Sequence, residues 1–364
     1  MKINDITQVL ESVAPLSYQE SYDNSGLICG LPNNEIEGVL LTLDVTEAVV
    51  NEAINKKCNL IIAHHPIIFR PIKSLTGKNY VERSVMLAIR HDISIYACHT
   101  NLDAVPTGVN SIIAEKLHLQ NCKILQPIAS DLRKLVTFVP VNQADNVRAA
   151  ICDAGAGHIG AYDNCTYNLE GFGTFRGLDG TNPYVGEKGK IHHEPELRIE
   201  TIFPKHLKNK VLSALLQSHP YEEVAYDIYP LENENNGVGA GLIGELENEI
   251  EVYEFLGEIK KEFNCGAIKY TQPHKQSIKK VAICGGSGSF LLPKAIEKQA
   301  DIFISGDFTY HQFFDAENKI IIADIGHFES EQYTLEIFFR IISKKIPKFA
   351  ALFSEIKTNP VMYY

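Results

Sequence analysis

Two stretches of the chain, one near each end, alternate short apolar runs with helix-like segments, and this rhythm restricts the fold more than any other feature. In the first third the apolar runs 38–43, 59–63 and 94–97 are separated by helical patterns over 46–56 and 81–91. Each run is strand-sized, and successive strands joined by a helix must re-enter the sheet in the same direction, so βαβαβ order predicts parallel strands covered by helices. The last third repeats the rhythm with strands at 278–284, 302–305 and 320–323, a helix at 291–299, and a long amphipathic helix over 328–343.

Between them the pattern changes. Strand-like segments at 134–139, 161–172 and 197–203 surround the glycine-rich run GFGTFRGLDGTNPYVGEKGK, with helix candidates at 142–155 and 205–219. Their βαβ-βαβ order is that of a small ferredoxin-like α+β domain, and LENENNGVGAGLIGE reads as the linker back. A chain of 364 residues exceeds the size at which one core keeps growing. The expected organisation is α/β, with two related units at 1–125 and 234–364 forming one core, interrupted by an inserted domain at 126–233.

Acidic residues outnumber basic ones 45 to 34, giving a net charge of -11 that repels a phosphate backbone and makes nucleic acid an unexpected partner. No apolar run approaches the roughly 20 residues that span a bilayer as a helix. The opening MKINDITQVLESVAPL is an amphipathic helix pattern without the apolar core of a signal peptide, so a cytoplasmic protein is expected. The eight cysteines form no C-x-x-C pair, and several sit in apolar runs, so they are expected to be reduced, buried thiols.

The residues able to do chemistry lie where strands end. The 59–63 strand runs into HHPIIF, whose Pro66 halts regular pairing. Neighbouring side chains on a strand point to opposite faces, so His64 and His65 can share a site only where the strand opens into a loop; there each imidazole can serve a different ion. The 94–97 strand exits into CHTNLDAVPTG, which places His99 and the hard-oxygen donor Asp103 on the adjoining loop. The 320–323 strand exits into DIGHFESEQ, where His327 and Glu331 fall four apart on one face of a helix, and a carboxylate there can bridge two ions. Oxygen and nitrogen donors without thiolate suit Zn, Mn, Fe, Co or Ni and disfavour a structural zinc clamp.

Other features have both plain and functional readings. Asp307 and His311, four apart after the 302–305 strand, are candidates for supporting or general acid/base groups near the ions. GGSGSF is either a phosphate-cradling turn or plain strand-to-helix geometry, and it lacks the Lys-Ser/Thr of a P-loop. Asn24 in DNSGL either overlies the cleft or only shapes a turn. His192 and His193, beside Glu194, read as a surface loop rather than an accessory metal site.

Six segments together carry a family resemblance: DNSGLICG at 23–30, HHPIIF at 64–69, HTNLDA at 99–104, GGSGSF at 285–290, SGDFTYH at 305–311 and DIGHFESE at 324–331. The chain resembles the GTP cyclohydrolase 1 type 2 homolog family, α/β proteins of largely unassigned activity. The resemblance implies two divalent metal ions per chain, zinc foremost, held by His64, His65, Asp103, His327 and Glu331, with Glu331 touching both. It also implies a homohexameric ring with the sites facing inward. The insertion is similar to the PII and CutA (divalent-cation-tolerance) folds. Two ions sharing a carboxylate point to hydrolysis of a small nucleotide-like or phosphorylated molecule, with His311 as proton shuttle and GTP ring opening suggested by the family name. The rival expectations are a metal-organised regulatory protein with a ligand-sensing insert, and a metal store.

Overall fold

The computed structural model describes residues 1–347 and 349–364. The chain divides into two compact units, one of residues 1–126 with 238–364 and the other of residues 127–237. Among the described residues no helix is long and apolar enough to cross a membrane.

The larger unit holds two mixed sheets. One has five strands in the spatial order Gly26–Cys29, Ser94–Ala97, Leu60–Ala63, Val39–Thr42, Ala351–Phe353. Its last four strands run parallel and the first is antiparallel to its neighbour. The strands Val39–Thr42, Leu60–Ala63 and Ser94–Ala97 are buried at every position, as helix-covered parallel strands must be. Helices Glu47–Asn55 and Tyr80–Arg90 supply the crossovers, and each opens with a side-chain cap, Thr46 accepting from the Val49 amide and Asn79 from the Glu82 amide. Leu40, Val49, Ala53, Ile61, Val85 and Ile95 form the core on one side of this sheet. Full burial of each larger aliphatic side chain contributes roughly 1.5–3 kcal/mol.

The second sheet has six strands in the order Lys269–Tyr270, Ile321–Asp324, Ile302–Gly306, Ser277–Ser287, Asn235–Glu251, Gln120–Ile128. Ser277–Ser287, Ile302–Gly306 and Ile321–Asp324 are parallel, whereas Asn235–Glu251 and Lys269–Tyr270 are antiparallel to their neighbours. Two expectations are corrected here. Residues 231–245 are not a linker: from Asn235 onward they belong to a 17-residue strand, in which Gly241 adopts a φ of 64° while Leu242 to Gly244 pair in register with Ile283 to Val281. The single helix over 328–343 is two, His327–Glu331 and Thr334–Lys345, separated where the Gln332 amide group donates to the Phe263 carbonyl and the Tyr333 hydroxyl donates to that of Glu262.

The smaller unit has strand-helix-strand-strand-helix-strand order, with helices Ala144–Asp153 and Lys208–Ser218. Its four strands lie antiparallel in the order Tyr167–Phe175, His192–Pro204, Leu132–Pro140, Tyr226–Pro230. Leu135, Val139, Val147, Ile199, Phe203 and Leu215 build its core. His192 and His193 open a strand rather than lie in a loop; His192 Nε2 is 2.7 Å from Glu194 and His193 Nδ1 is 3.3 Å from the Thr174 hydroxyl. All eight cysteines are free, but burial holds only for Cys58, Cys98, Cys152, Cys265 and Cys284; Cys29 and Cys165 are half-buried and Cys122 is exposed.

Candidate metal centre

Parallel strands of both sheets of the larger unit deliver their carboxyl ends to one place. His64 and His65 follow Leu60–Ala63, beyond the regular pairing, with both amides donating to the Leu43 carbonyl at 3.2 and 3.0 Å. This release from the pleat lets adjacent rings lie on one side, with centroids 4.9 Å apart. Asp103 closes a one-turn helix, Thr100–Asp103, rather than lying in a loop. His327 and Glu331 bracket the short helix after Ile321–Asp324, and their spacing brings Nε2 of the first to 3.1 Å from Oε2 of the second.

Four imidazoles each have Nδ1 tied to an oxygen. His64 Nδ1 donates to the Cys98 carbonyl at 2.9 Å, His65 to Asp44 at 2.7 Å, His99 to Asp23 at 2.8 Å and His327 to Asp307 at 2.6 Å. An imidazole whose Nδ1 carries the shared proton presents Nε2 as the free lone pair, which is how proteins fix histidines that face a metal. Glu331 lies among them, almost fully buried. Its Oε1 is 3.6 Å from His64 Nε2, and its Oε2 is 2.9 Å from His65 Nε2 and 3.1 Å from His327 Nε2. Asp103 Oδ1 is 3.7 Å from His64 Nε2.

His64 Nε2, Asp103 Oδ1 and Glu331 Oε2 are buried without a hydrogen-bond partner. Leaving three such atoms unsatisfied costs about 1–3 kcal/mol each, so their convergence calls for a cation. His64, His65 and His99 form one group of donor atoms within 4.8 Å of one another, and His65, His327 and Glu331 form a second. The field favours positive charge. Burial lowers His65 and His327, yet the carboxylates of Asp44 and Glu331 push His65 up to about 10, and those of Asp307 and Glu331 push His327 up to about 11, so without a cation each ring holds a second proton at Nε2 that a bound metal ion would displace. Burial raises Asp103 to about 7. For Asp23, burial is outweighed by the bonds from His99 and Thr100, which hold its carboxyl well below the usual carboxylate range.

The glycines of GGSGSF serve this centre directly. Gly286 has a φ of 63°, and a Cβ there would overlap Glu331 Oε1; its amide donates to the Ser330 hydroxyl at 2.9 Å. Gly326, at a φ of 98°, turns the chain into the His327 helix. Asn24 Nδ2 donates to the Ile68 carbonyl at 2.7 Å, pinning DNSGL against HHPIIF and setting Asp23 behind His99.

Of the residues singled out in the sequence, His64, His65, Asp103, His327 and Glu331 converge, and Asp307 stands directly behind His327. His311 does not join them: it is exposed, with its ring against Tyr310 and Phe314. Asp307 has a left-handed φ of 60° and the following 3-10 helix begins at Tyr310, so a spacing of four places the two residues on no common face. Sequence reasoning missed Asp44 and Asp23. Asp44 follows the Val39–Thr42 strand, the same strand-exit position as the residues that were found.

The family model of Duf34/NIF3 (NGG1p interacting factor 3) matches residues 1–360. The chain belongs to the DUF34/NIF3 family. Within it, proteins named GTP cyclohydrolase 1 type 2 homolog include one from Halalkalibacterium halodurans, 44% identical over 88% of this chain and 87% of its own length. Another, from Bacillus subtilis, is 39% identical over 98% of this chain and 97% of its own. Among solved structures, a Bacillus cereus protein related to NIF3 superposes with a TM-score of 0.87 at 37% identity, covering 100% of this chain and 99% of that one. A Staphylococcus aureus protein superposes with a TM-score of 0.78 at 30% identity over the same shares. In this DUF34/NIF3 chain, as the geometry above describes, His and Glu clusters able to hold a metal lie at the strand ends.

Proposed function

We propose that this protein binds two divalent metal ions and uses them to hydrolyse a small nucleotide-like or phosphorylated substrate. The observation that carries the reading is the set of imidazoles with Nδ1 anchored and Nε2 converging on buried, unpartnered carboxylate oxygens. In this reading His64, Asp103 and Glu331 would hold one ion, and His65, His327 and Glu331 would hold the other. Zinc is the first candidate, and Mn, Fe, Co or Ni suit the same donors. Two such ions would supply Lewis-acid polarisation of a substrate oxygen and a more acidic water.

The chain's own residues do the rest. Asp44, Asp307 and the Cys98 carbonyl keep the ligand imidazoles in one tautomer and orientation. His99, its Nδ1 fixed by Asp23, is placed to carry a proton at Nε2, the role the sequence had suggested for His311. Ring hydrolysis of GTP is the substrate reading that the relatives' name suggests. The smaller unit, by its strand order, is read as a ferredoxin-like insert of the PII and CutA kind, and the whole as a homohexameric cytoplasmic ring.

The test is to purify the protein without chelator, measure its metal content, and assay GTP and a panel of phosphorylated compounds with wild type, Glu331→Ala and His64→Ala. Turnover that falls in both variants together with the metal content supports the reading. Equal turnover in all three proteins would rule out catalysis at this centre and favour a metal-organised regulatory protein.

A further inference from the structure

We propose that the smaller unit binds a planar nitrogen heterocycle through the buried carboxylate of Glu196, in a cavity of about 690 Å³. The ligand class is one that presents adjacent N–H donors on its ring edge and carries an anionic group. The site uses residues of this unit alone and does not depend on the metal reading.

Strand register builds the cavity. Phe138 pairs with Arg198, Pro140 with Glu196, and Glu196 in turn with Gly171, so these side chains share the sheet face opposite the core residues Val139 and Ile199. Glu196 is only 7% exposed. Its Oε1 accepts from the Tyr221 hydroxyl at 2.7 Å, and among the described residues no hydrogen bond is made to Oε2. A carboxylate oxygen that lines a cavity and takes no protein donor is open to a donor from a ligand.

Glycine at 173 makes room for that carboxylate. A Cβ there would overlap Glu196 Oε2, and Gly173 has no left-handed φ that would require glycine for the backbone's sake. Gly171, on the same face, has open space above it. The side walls are aromatic: Tyr221 lies between Phe175 and Tyr184, with ring centroids 5.9 and 6.2 Å away. Arg176 lines the cavity, is exposed, and has no ion-pair partner among the described residues, whereas Arg198 is held by Glu200 at 2.8 Å.

Stacking rings, an acceptor-only carboxylate and an unpaired guanidinium together select a flat, anionic ligand with two neighbouring donors. The 2-amino-oxo pyrimidine edge common to guanine and pterin has this pattern. Adenine does not, since its amino donor sits beside a ring acceptor.

The experiment titrates full-length protein, in buffer containing EDTA to remove the metal centre from the readout, with GMP, pterin-6-carboxylate and AMP by calorimetry and saturation-transfer NMR. GMP or pterin-6-carboxylate is expected to bind and AMP to bind at least about tenfold more weakly, with the first two probes separating nucleotide from pterin as the source of the shared edge. Glu196→Gln, which turns an acceptor into a partial donor, should weaken binding by about 10- to 100-fold. Gly171→Phe fills the open space without backbone strain and should abolish binding, and Arg176→Ala, at an exposed position, should weaken it several-fold; circular dichroism checks that each variant is folded. Equal binding of AMP, unchanged binding by folded Gly171→Phe, or no binding of either edge-bearing probe at about 1 mM would overturn the proposal.

Discussion

Asp44→Asn isolates the contribution of the carboxylates behind the histidines, because it keeps the shape of the side chain while removing its charge. Asp44 accepts from His65 Nδ1 at 2.7 Å on one oxygen and from the Thr358 hydroxyl at 2.6 Å on the other. The first bond fixes which nitrogen of His65 faces Glu331. Replacing a charge-assisted bond by a neutral one removes about 1–1.5 kcal/mol of orientation, since charged bonds contribute roughly 1.5–3 kcal/mol and neutral ones 0.5–1.5. At about 1.4 kcal/mol per tenfold, metal affinity should fall about 5- to 12-fold, at the lower edge of the 10- to 100-fold range typical of such supporting residues. Thr358→Val removes a neutral bond one step further out and should cost no more than a few-fold. The assay is competition for zinc against a chromophoric chelator, read alongside cobalt absorption spectra that report ligand geometry. A folded Asp44→Asn protein with wild-type affinity and an unchanged cobalt spectrum would refute the claim that Asp44 orients a metal ligand.

Other outcomes follow from the same geometry. Gly286→Ala forces alanine into a left-handed backbone, costing about 1–2 kcal/mol, and drives its methyl into Glu331, costing about 1–3 more; the melting temperature should fall and metal content drop below wild type. Asp301 accepts from the Lys279 and Lys280 amides at 2.7 and 2.8 Å and pairs with Lys275, and these partners outweigh burial to depress its pKa. A depressed carboxylate stabilises the fold above its unfolded pKa of about 3.9 and loses that contribution as pH falls through the lower folded value. Asp301→Asn should therefore be less stable than wild type by about 1.5–3 kcal/mol at pH 7, with the gap closing in denaturant titrations as pH falls through the depressed folded value. Saturating zinc at about 100 times its dissociation constant should stabilise the metal-free protein by about 2.7 kcal/mol, and Glu331→Ala should lose most of that increment in thermal shift.

The sequence made the central parallel strands legible because a strand buried on both faces must be a continuous apolar run, as Leu60–Ala63 and the run 320–323 are. The Asn235–Glu251 strand was hidden because GVGAG has the composition of a linker, although glycine also permits the irregular φ of Gly241 within a paired strand. The break between the His327 and Thr334 helices left no mark on the apolar period; it is set by tertiary bonds from Gln332 and Tyr333 to the Glu262–Phe263 backbone. Residues at strand exits disclosed most of the candidate centre. Asp44 and Asp23 stayed hidden since a single aspartate in a turn is unremarkable until the histidine it supports is known, and the spacing of Asp307 and His311 does not place them on one helix face because Asp307 is left-handed.

The most direct test is elemental analysis combined with an anomalous-scattering map of crystals of protein prepared without chelator. Two ions per chain are expected, one beside His64 and Asp103 and the other beside His65 and His327, with Glu331 between them. Protein that carries no metal, and a map without a peak at Glu331, would contradict the proposed centre.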